Sequence, residues 1–158
     1  MAFSCGVPPL DTYLKQLARQ ERDRRVTQCY VLTPEDSRTI VGYYTLSALS
    51  IQPDSFPPEF TKRYPRYETL PAVLLGRLAV DQRYQGRRLG NALLYDATEK
   101  AVDSTARVGA VALVVDAKDD RARSFYERFG FRRFSDREMR LFLSLDDAAR
   151  FVKDERSR

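Results

Sequence analysis

The stretch LGRLAVDQRYQGRRLGNALL, residues 75–94, decides the fold of this chain. It includes most of the apolar run Val73–Val80, which is typical of a buried strand. It ends in Leu89–Asp103, where leucine and alanine recur with helical spacing. The connection between them is short and rich in glycine and arginine. The stretch therefore predicts a strand, a basic loop and a helix in direct succession.

The predicted loop has the features of an anion-binding site. The first N–H groups of a helix have no intrahelical acceptor, and the helix dipole favours negative charge beside them. Gly86 and Gly90 lower the steric cost of a close backbone approach. Arg83, Arg87 and Arg88 add guanidinium groups that donate charge-assisted hydrogen bonds. The loop alone gives a hypothesis of phosphate binding, because two glycines four residues apart are a weak signal.

Upstream of this stretch, the sequence predicts one helix and a hairpin. Helical periodicity covers Pro9–Arg25. β-Branched and aromatic residues predict antiparallel strands at Val26–Leu32 and Ile40–Ser50, joined by a turn at Pro34–Ser37. Five of the eight prolines then lie in residues 53–71, which predicts an irregular, semi-rigid connection because proline cannot donate a backbone hydrogen bond.

Downstream, the sequence alternates between strands and helices. A predicted strand at Ala110–Val115 is followed by a predicted helix at Arg121–Phe129, which stops at Gly130. Two short strands are predicted at Phe131–Phe134 and Met139–Leu143. A last helix is predicted at Asp146–Val152, followed by a frayed tail. This order predicts an α/β fold with a mixed sheet of the α+β type. The length predicts a single domain over residues 1–158.

The composition excludes several kinds of chemistry. The chain has no histidine and two cysteines, so it cannot form a Ser-His-Asp or Cys-His arrangement or an imidazole zinc site, and we expect no metal. Isolated cysteines and the lack of a signal-peptide or membrane-helix pattern predict a cytoplasmic protein without membrane contact. The net charge of +5 is compatible with an anionic partner and equally with an ordinary basic protein.

The opening stretch resembles the acetyl-CoA-binding motif of the GCN5-related N-acetyltransferases, the GNAT family. That family's phosphate loop reads Gln/Arg-x-x-Gly-x-Gly/Ala. Here it reads QGRRLG, residues 85–90, with Arg88 in place of the middle glycine. The resemblance implies a GNAT-like acyl-CoA N-acyltransferase fold with acetyl-CoA as co-substrate. It implies that the strand backbone of Leu78, Ala79 and Val80 contacts the pantetheine arm. It also implies that the loop holds the pyrophosphate, through Gln85, Gly86, Arg87, Arg88, Leu89, Gly90 and Asn91.

A second block, VVDAKDDRARSFYERFGF at residues 114–131, resembles another conserved segment of the family. Asp119 stands at the usual asparagine position, which the resemblance assigns to cofactor binding. Tyr126 stands at the position of a tyrosine that protonates the departing CoA thiolate. A phenol with a pKa of about 10 can give a proton to a thiolate whose conjugate acid has a pKa of about 8.5. Without the resemblance, Tyr126 would be interpreted as one of several core aromatics.

Three further segments narrow the resemblance to one branch of the family. They are FSCGVPPLDTYL at residues 3–14, GYYTLS at 42–47 and MRLFLSL at 139–145. They look like the acetyltransferase toxins of bacterial toxin–antitoxin pairs. The resemblance implies acetylation of the α-amine of aminoacyl-tRNA, which blocks translation. It also implies a cognate antitoxin of the ribbon-helix-helix type and a homodimer.

Amine chemistry favours an aminoacyl ester over a lysine as the acceptor. A lysine side chain with a pKa of about 10.4 needs a base at neutral pH, whereas an α-amine has a pKa near 8. The chain offers no histidine base, although Asp81, Glu68 or a water chain could serve. We expect RNA contacts from Lys62, Arg63 and Arg66 in the proline-rich connection and from Arg77 in the central strand. The run Arg22, Arg24 and Arg25 is a further candidate.

Two alternatives remain open from the sequence. The first is an acetyltransferase that acts on a small-molecule amine or a protein N-terminus. The second is a non-catalytic domain that senses acyl-CoA. The basic proline-rich connection favours RNA over a small amine, and the presence of Tyr126 favours catalysis over sensing.

Overall fold

A computed structural model describes residues 2–35 and 37–158. The strands are β1 (Gln28–Leu32), β2 (Gly42–Ile51), β3 (Leu70–Val80), β4 (Ala112–Asp116), β5 (Arg132–Arg133) and β6 (Arg140–Ser144). The helices are α1 (Pro8–Thr12), α2 (Ala18–Asp23), α3 (Pro58–Thr61), α4 (Leu89–Ser104), α5 (Asp120–Phe129) and α6 (Leu145–Arg156). The strands form one mixed sheet in the order β1-β2-β3-β4-β6-β5, which confirms the predicted α/β fold. None of the described helices is long and apolar enough to cross a membrane.

The predicted hairpin is present and its register is fixed. β1 and β2 pair antiparallel, with Cys29 opposite Thr45. Both strands begin two residues later than predicted. In the connecting turn, the Ser37 N–H donates to the Pro34 carbonyl at 3.1 Å, while Asp36 lies outside the described residues. Successive side chains of β2 point to opposite faces of the sheet. Tyr43 and Thr45 are two residues apart and therefore lie on the same face.

The predicted N-terminal helix is one helical segment from Pro8 to Asp23 with a π-helical turn in its middle. This turn, Tyr13–Leu17, joins α1 to α2 and buries Tyr13. The Tyr13 hydroxyl donates to the Glu21 carboxylate at 2.9 Å. Because π turns are rare and occur often at functional sites, this turn marks a part of the helix to test for function.

The internal contacts divide the chain into two compact units. Unit 1 contains residues 2–47 and 75–97, and unit 2 contains residues 48–74 and 98–158. The apolar core of unit 1 consists of Phe3, Cys5, Tyr13, Leu14, Ala18, Tyr43 and Ala79. That of unit 2 consists of Ile51, Phe56, Phe60, Leu70, Ala72, Ala112, Val114, Phe134 and Phe142. Both cores are rich in aromatic rings, which bury large apolar areas.

The proline-rich connection is more ordered than the sequence suggested. It contains a short 3₁₀ helix at Pro53–Ser55 and the single turn of α3. Phe56 and Phe60 are buried, with ring centroids 4.6 Å apart, and both pack on Phe142 at 4.9 and 5.0 Å. The connection therefore supplies part of the core of unit 2. It contains only short helices, as its prolines predict, but its predicted end is wrong, because Pro71 lies in β3, which begins at Leu70.

The prediction of a frayed C-terminal tail is wrong. The last helix, α6, continues to Arg156 instead of ending near Val152. Arg156 pairs with Glu99 at 3.1 Å and with Asp103 at 3.0 Å, and both carboxylates belong to α4. The two carboxylates that pair with Arg156 lie more than fifty residues upstream, so local sequence could not reveal them.

Candidate active site

The loop between β3 and α4 is anchored by Asp81. The side chain of Asp81 is 1% exposed, and it accepts hydrogen bonds from the backbone N–H of Arg83 at 2.9 Å and of Ser4 at 3.1 Å. The Arg83 guanidinium adds a bond from Nε at 3.0 Å. This side-chain hydrogen bond is the largest of the effects that lower the pKa of Asp81 to about 2, against the opposing effect of burial. Asp81 is thus a permanently charged structural anchor.

Gln85 ties the same loop to two other segments. Its side-chain nitrogen donates to the Val80 carbonyl at 2.9 Å and to the Cys5 carbonyl at 3.1 Å. The side-chain amide of Gln85, a residue that the resemblance assigns to the pyrophosphate loop, is therefore used inside the protein. Gln85 therefore contributes to the loop by holding its start in place.

Two residues of the loop adopt left-handed backbone conformations. Gly86 has φ of +83° and Arg88 has φ of +60°. Arg88 is the residue that replaces the family's middle glycine, and it adopts a conformation that glycine takes without strain. For a residue with a Cβ this conformation costs about 1–2 kcal/mol. The substitution has therefore kept a glycine-like geometry at an energetic cost, and it has added a cation.

The loop presents its arginines to solvent. Arg87 and Arg88 are exposed, and Arg87 lies 5.2 Å above the Tyr84 ring. In the part of the chain that the structure describes, neither guanidinium is paired with a carboxylate. A Cβ at Gly86 would meet no atom within 4 Å, so the backbone there is open to a ligand. These features fit a diphosphate group, which needs unpaired cations and accessible N–H groups.

The first turn of α4 follows the loop without a break. The Ala92 N–H donates to the Arg88 carbonyl at 3.2 Å, which starts the helix. Leu89, Gly90 and Asn91 are therefore the residues whose N–H groups precede the first intrahelical bonds. On the other side of the loop, Ala79 is buried and its neighbours Leu78 and Val80 are half-buried. The structure thus brings the predicted cofactor residues of unit 1 together along β3, the loop and the start of α4.

Tyr126 lies in unit 2, on α5. Its ring is 9% exposed and packs on Phe125 at 5.3 Å and Phe131 at 5.5 Å. Burial raises the pKa of Tyr126 to about 12. The hydroxyl therefore holds its proton at neutral pH, as a proton donor must. Tyr126 is both a core aromatic and a protonated phenol, so the two interpretations of the sequence do not exclude each other.

Asp119 has a structural role at the beginning of the same helix. It is the N-cap of α5, and its carboxylate accepts a hydrogen bond from the Ala122 N–H at 2.8 Å. The helix ends at Gly130, which has φ of +122°, as the sequence predicted. The capped helix and its glycine stop fix the segment that carries Tyr126. This role is independent of the cofactor contact that the resemblance implies for Asp119.

The predicted RNA-binding cations fall into three groups, of which the run Arg22, Arg24 and Arg25 is exposed at and just after the end of α2. Lys62, Arg63 and Arg66 are exposed and lie within five residues of one another in unit 2. Arg63 pairs with Asp146 at 3.7 Å, and Arg66 has φ of +70°. Arg77 is in unit 1, half-buried, with its guanidinium carbon 3.7 Å from the centre of the Tyr13 ring. Arg77 is thus a half-buried cation stacked on an aromatic ring.

Two polar residues that the structure singles out were not assigned by the sequence. One is Asp81 as the anchor of the loop, for which the only signal was an acid directly after a buried strand. The other is Thr45 in β2, whose Oγ1 is buried and has no hydrogen-bond partner among the described residues. No pattern in GYYTLS distinguishes this hydroxyl from any other strand threonine.

Residues 3–131 match the acetyltransferase (GNAT) family. The match includes β3, the phosphate loop and Tyr126. The chain belongs to the GNAT family of acetyltransferases. This confirms three predictions: the fold, the class of acetyl-CoA-dependent N-acetyltransferase, and acetyl-CoA as the co-substrate.

Similar proteins confirm the narrower resemblance to acetyltransferase toxins. A tRNA-acetylating toxin from Mycobacterium tuberculosis is 36% identical over 153 residues, which cover 97% of this chain and 90% of that protein. The structure of AtaT complexed with acetyl-methionyl-tRNAfMet has a TM-score of 0.88 at 27% identity and covers 95% of this chain and 89% of that one. A mutant AtaT toxin bound to the C-terminus of the antitoxin AtaR and acetyl-CoA has a TM-score of 0.79 at 25% identity, with coverage of 96% and 88%.

Proposed function

We propose that this protein is the toxin of a toxin–antitoxin pair and transfers the acetyl group of acetyl-CoA to the α-amine of aminoacyl-tRNA. The observation that carries the proposal is the 36% identity, over 97% of this chain, to a tRNA-acetylating toxin. The α-amine of an aminoacyl-tRNA is the nucleophile of peptide bond formation. Once acetylated it can no longer attack, so translation stops.

The reaction requires one new bond, one broken bond and two proton movements. The amine nitrogen bonds to the thioester carbonyl carbon, and the bond from that carbon to sulfur breaks. Tyr126 gives its proton to the departing thiolate. Its hydroxyl is protonated at neutral pH, and because burial raises its pKa to about 12, the transfer to a thiolate whose conjugate acid has a pKa of about 8.5 is more uphill than for a free phenol. The proton that the amine nitrogen loses returns through water to the Tyr126 phenolate, which restores the enzyme.

The acceptor amine does not depend on Asp81 as a base. Among the sequence candidates, Asp81 is unsuited to this role, because its pKa of about 2 and its three donor groups leave it little affinity for a proton. An α-amine with a pKa near 8 needs little help to lose its proton at neutral pH. This favours an aminoacyl ester over a lysine side chain as the acceptor.

The cofactor residues keep the roles that the resemblance implies. The backbone of Leu78, Ala79 and Val80 binds the pantetheine arm, and residues 85–91 hold the pyrophosphate. Support comes from the left-handed φ of Arg88 and from the guanidinium groups of Arg87 and Arg88, which pair with no carboxylate among the described residues. Asp119 contributes by fixing the start of the helix that carries Tyr126.

The partners follow from the same relatives. The AtaT structures support aminoacyl-tRNA as substrate and an antitoxin as partner. We propose an antitoxin of the ribbon-helix-helix type, a homodimer, and action in the cytoplasm, where charged tRNA is found. Residues 1–158 would then serve as one N-acetyltransferase domain, with both compact units needed for activity.

The RNA part of the proposal is tested by removing a group of cations. Neutralising Lys62, Arg63 and Arg66 together to glutamine should raise KM for charged tRNA about 10-fold or more at low salt and reduce the salt dependence, because fewer counterions are released. The dissociation constant of acetyl-CoA should not change. The matched control replaces three other exposed cations with glutamine, namely Arg107, Arg128 and Lys153. Equal effects of both triple variants would contradict a specific RNA surface at residues 62–66.

A further inference from the structure

Tyr67 presents an aromatic ring at the surface of unit 2. The residue is 61% exposed, whereas Phe151, the other exposed aromatic residue of the described chain, is 43% exposed and packs on Phe129. The described residues give the Tyr67 side chain no hydrogen bond and no ring contact. Both faces of its ring are therefore available to a ligand. Because single exposed apolar residues are common on protein surfaces, the neighbours of Tyr67 decide what the ring can bind.

The backbone just before Tyr67 has an unusual conformation. A turn is centred on Pro65 and Arg66, and Arg66 has φ of +70°. A proline followed by a residue with positive φ is the pattern of a type II β-turn, in which glycine is usual at the second position. Arginine at that position is strained, and strain of this kind is found at segments that hold ligands.

The turn begins on the apolar core of unit 2. Tyr64, directly before Pro65, packs on Phe60 with 5.5 Å between the ring centroids. Phe60 is 3% exposed and packs in turn on Phe142 at 5.0 Å. The proline ring fixes the φ of Pro65 itself. The start of the turn is therefore held in place, which lowers the entropic cost of binding a ligand at Tyr67.

Positive charges accompany the ring along the chain. Residues 62–67 read KRYPRY, with three cations and no acid, and we call this segment the basic turn. Arg66 is bonded to Tyr67, so their Cα atoms are about 3.8 Å apart. Lys62 is five residues from Tyr67, so its Cα lies within about 18 Å of that of Tyr67 whatever path the chain takes. The cations and the ring can therefore contact one short stretch of a polymeric ligand.

Nearby carboxylates leave two cations of the basic turn available. Asp146 pairs with Arg63 at 3.7 Å, and the exposed Glu68 follows the turn. Lys62 and Arg66 pair with no carboxylate among the described residues. An exposed ring beside unpaired cations is the combination that binds single-stranded nucleic acid, because the cations contact phosphates and the ring stacks on unpaired bases. A double-stranded stem would offer the phosphates without an unstacked base.

We propose that Tyr67 stacks on an unpaired base of the charged tRNA, while Lys62 and Arg66 bind phosphates next to that base. The inference rests on the proposed function and adds the residue that recognises single-stranded RNA. The aminoacyl group is carried on the unpaired 3′ end of tRNA, so the substrate brings unpaired bases together with its reacting amine. Every base has a face on which a ring can stack, so this contact binds tRNA whatever the base.

Three variants of Tyr67 are the first test. Tyr67→Ala and Tyr67→Leu remove the ring and should raise KM for charged tRNA about 5-fold or more, the low end of the range for base stacking. Tyr67→Phe keeps the ring and should stay within about 2-fold of the wild type. The dissociation constant of acetyl-CoA and the melting temperature should not change. Val108→Ala, which shortens another exposed apolar side chain of unit 2, is the matched control. A wild-type KM in Tyr67→Ala, or an equal loss in Tyr67→Phe, would overturn the inference.

The salt dependence of tRNA binding separates stacking from charge. Stacking releases no counterions, so Tyr67→Ala should weaken binding by the same factor at low and high salt and leave the slope of log Kd against log salt unchanged. Arg66→Gln removes one phosphate contact and should reduce that slope by about 0.7, the value for one contact on a single strand. A reduced slope in Tyr67→Ala, equal to that of Arg66→Gln, would contradict the stacking role.

A single introduced tryptophan observes the stack directly. The chain contains no tryptophan, so the fluorescence of a Tyr67→Trp variant reports on this position alone. Charged tRNA and a single-stranded RNA oligonucleotide should quench it, a blunt RNA duplex should quench it much less, and Val108→Trp should respond to none of them. Unchanged fluorescence together with an unchanged KM in Tyr67→Ala would overturn the inference and leave the ring to a protein partner. If the wild-type enzyme does not acetylate charged tRNA at all, the proposed function fails; if it does and the Tyr67 variants match it, only the stacking role fails.

Discussion

Arg88 combines a strained backbone with a useful charge. Its φ of +60° is a conformation that costs a residue with a Cβ about 1–2 kcal/mol. Strain of this kind persists at functional sites, where the surrounding structure enforces it. The loop around Arg88 is held by the Asp81 and Gln85 hydrogen bonds, which explains how it keeps a glycine-like shape without glycine.

Two variants of Arg88 separate the strain from the charge. Both Arg88→Gly and Arg88→Ala remove the guanidinium and should weaken acetyl-CoA binding by about 3-fold or more, as expected for a lost charge-assisted bond. Only glycine relieves the left-handed strain, although its more flexible unfolded chain offsets about 0.4–1 kcal/mol of that gain. Urea denaturation should therefore show Arg88→Gly more stable than Arg88→Ala by up to about 1 kcal/mol. A more stable alanine variant would contradict the strained geometry.

Tyr126 is the residue on which the chemistry of the proposal depends. Tyr126→Phe keeps the ring that packs on Phe125 and Phe131 and removes the proton donor, so kcat should fall about 10²- to 10⁴-fold. Acetyl-CoA affinity and the melting temperature should change little at pH 7. Tyr30→Phe serves as the control, since Tyr30 lies on β1 outside the proposed cofactor residues. Wild-type turnover in the Tyr126→Phe variant would leave Tyr126 with a packing role only.

The raised pKa of Tyr126 also gives a signed pH effect. Its folded pKa of about 12 lies above the unfolded value of about 10, so its contribution to stability is complete below pH 10 and is lost as pH rises from 10 to 12. In alkaline denaturation, the wild-type protein should lose stability relative to Tyr126→Phe over that interval. Between pH 7 and 9, deprotonation of Tyr126 should not lower kcat.

At the scale of elements, the loop between β3 and α4 is held in place by the side-chain hydrogen bonds of Asp81 and Gln85. Asp81 holds the loop to its own N-terminal turn and to Ser4, and Gln85 holds it to Cys5 and the end of β3. These bonds connect the loop to the N-terminal segment of unit 1. The loop is therefore positioned before a ligand arrives, which lowers the entropic cost of binding.

Asp81→Asn tests this anchor through its pH dependence. The folded pKa of Asp81, about 2, lies below the unfolded value of about 3.9. Its stabilisation, about 1–2 kcal/mol after allowance for solvent around Arg83, is complete above pH 4 and lost as pH falls toward 2. Asp81→Asn should be less stable than the wild type at pH 7 by this amount, and the two should converge near pH 2. The exposed Asp54→Asn is the control, and a constant difference at all pH values would rule out the anchor.

Local sequence predicted the elements better than their ends and their contacts. The hairpin, β3, α4 and α5 follow from periodicity and from caps such as Gly130, because these signals lie within the element. The continuation of α6 to Arg156 depends on distant carboxylates of α4. The burial of Phe56 and Phe60 depends on Phe142, which lies more than eighty residues away. Such contacts are set by topology, which local patterns do not report.

At the scale of the molecule, the sequence located the candidate cofactor residues through their motifs, and these assignments stay predictions. The glycine–arginine loop and Tyr126 belong to motifs with fixed spacing, so one chain was enough to find them. No local pattern marks the Thr45 hydroxyl, which is buried and has no hydrogen-bond partner among the described residues. Arg77 was expected on an RNA-binding surface, and its stacking on Tyr13 required the fold of the N-terminal helix.

The central claim concerns the atom that receives the acetyl group. The most direct measurement incubates the purified full chain with isotopically labelled acetyl-CoA and a pool of charged tRNA, and then identifies labelled aminoacyl-adenosine by mass spectrometry after nuclease digestion. The account predicts label on the α-amine of the aminoacyl group, with CoA released in equal amount and with little label when Tyr126→Phe replaces the wild-type enzyme. Label confined to small amines, protein N-termini or lysine side chains, with the charged tRNA unmodified, would contradict it.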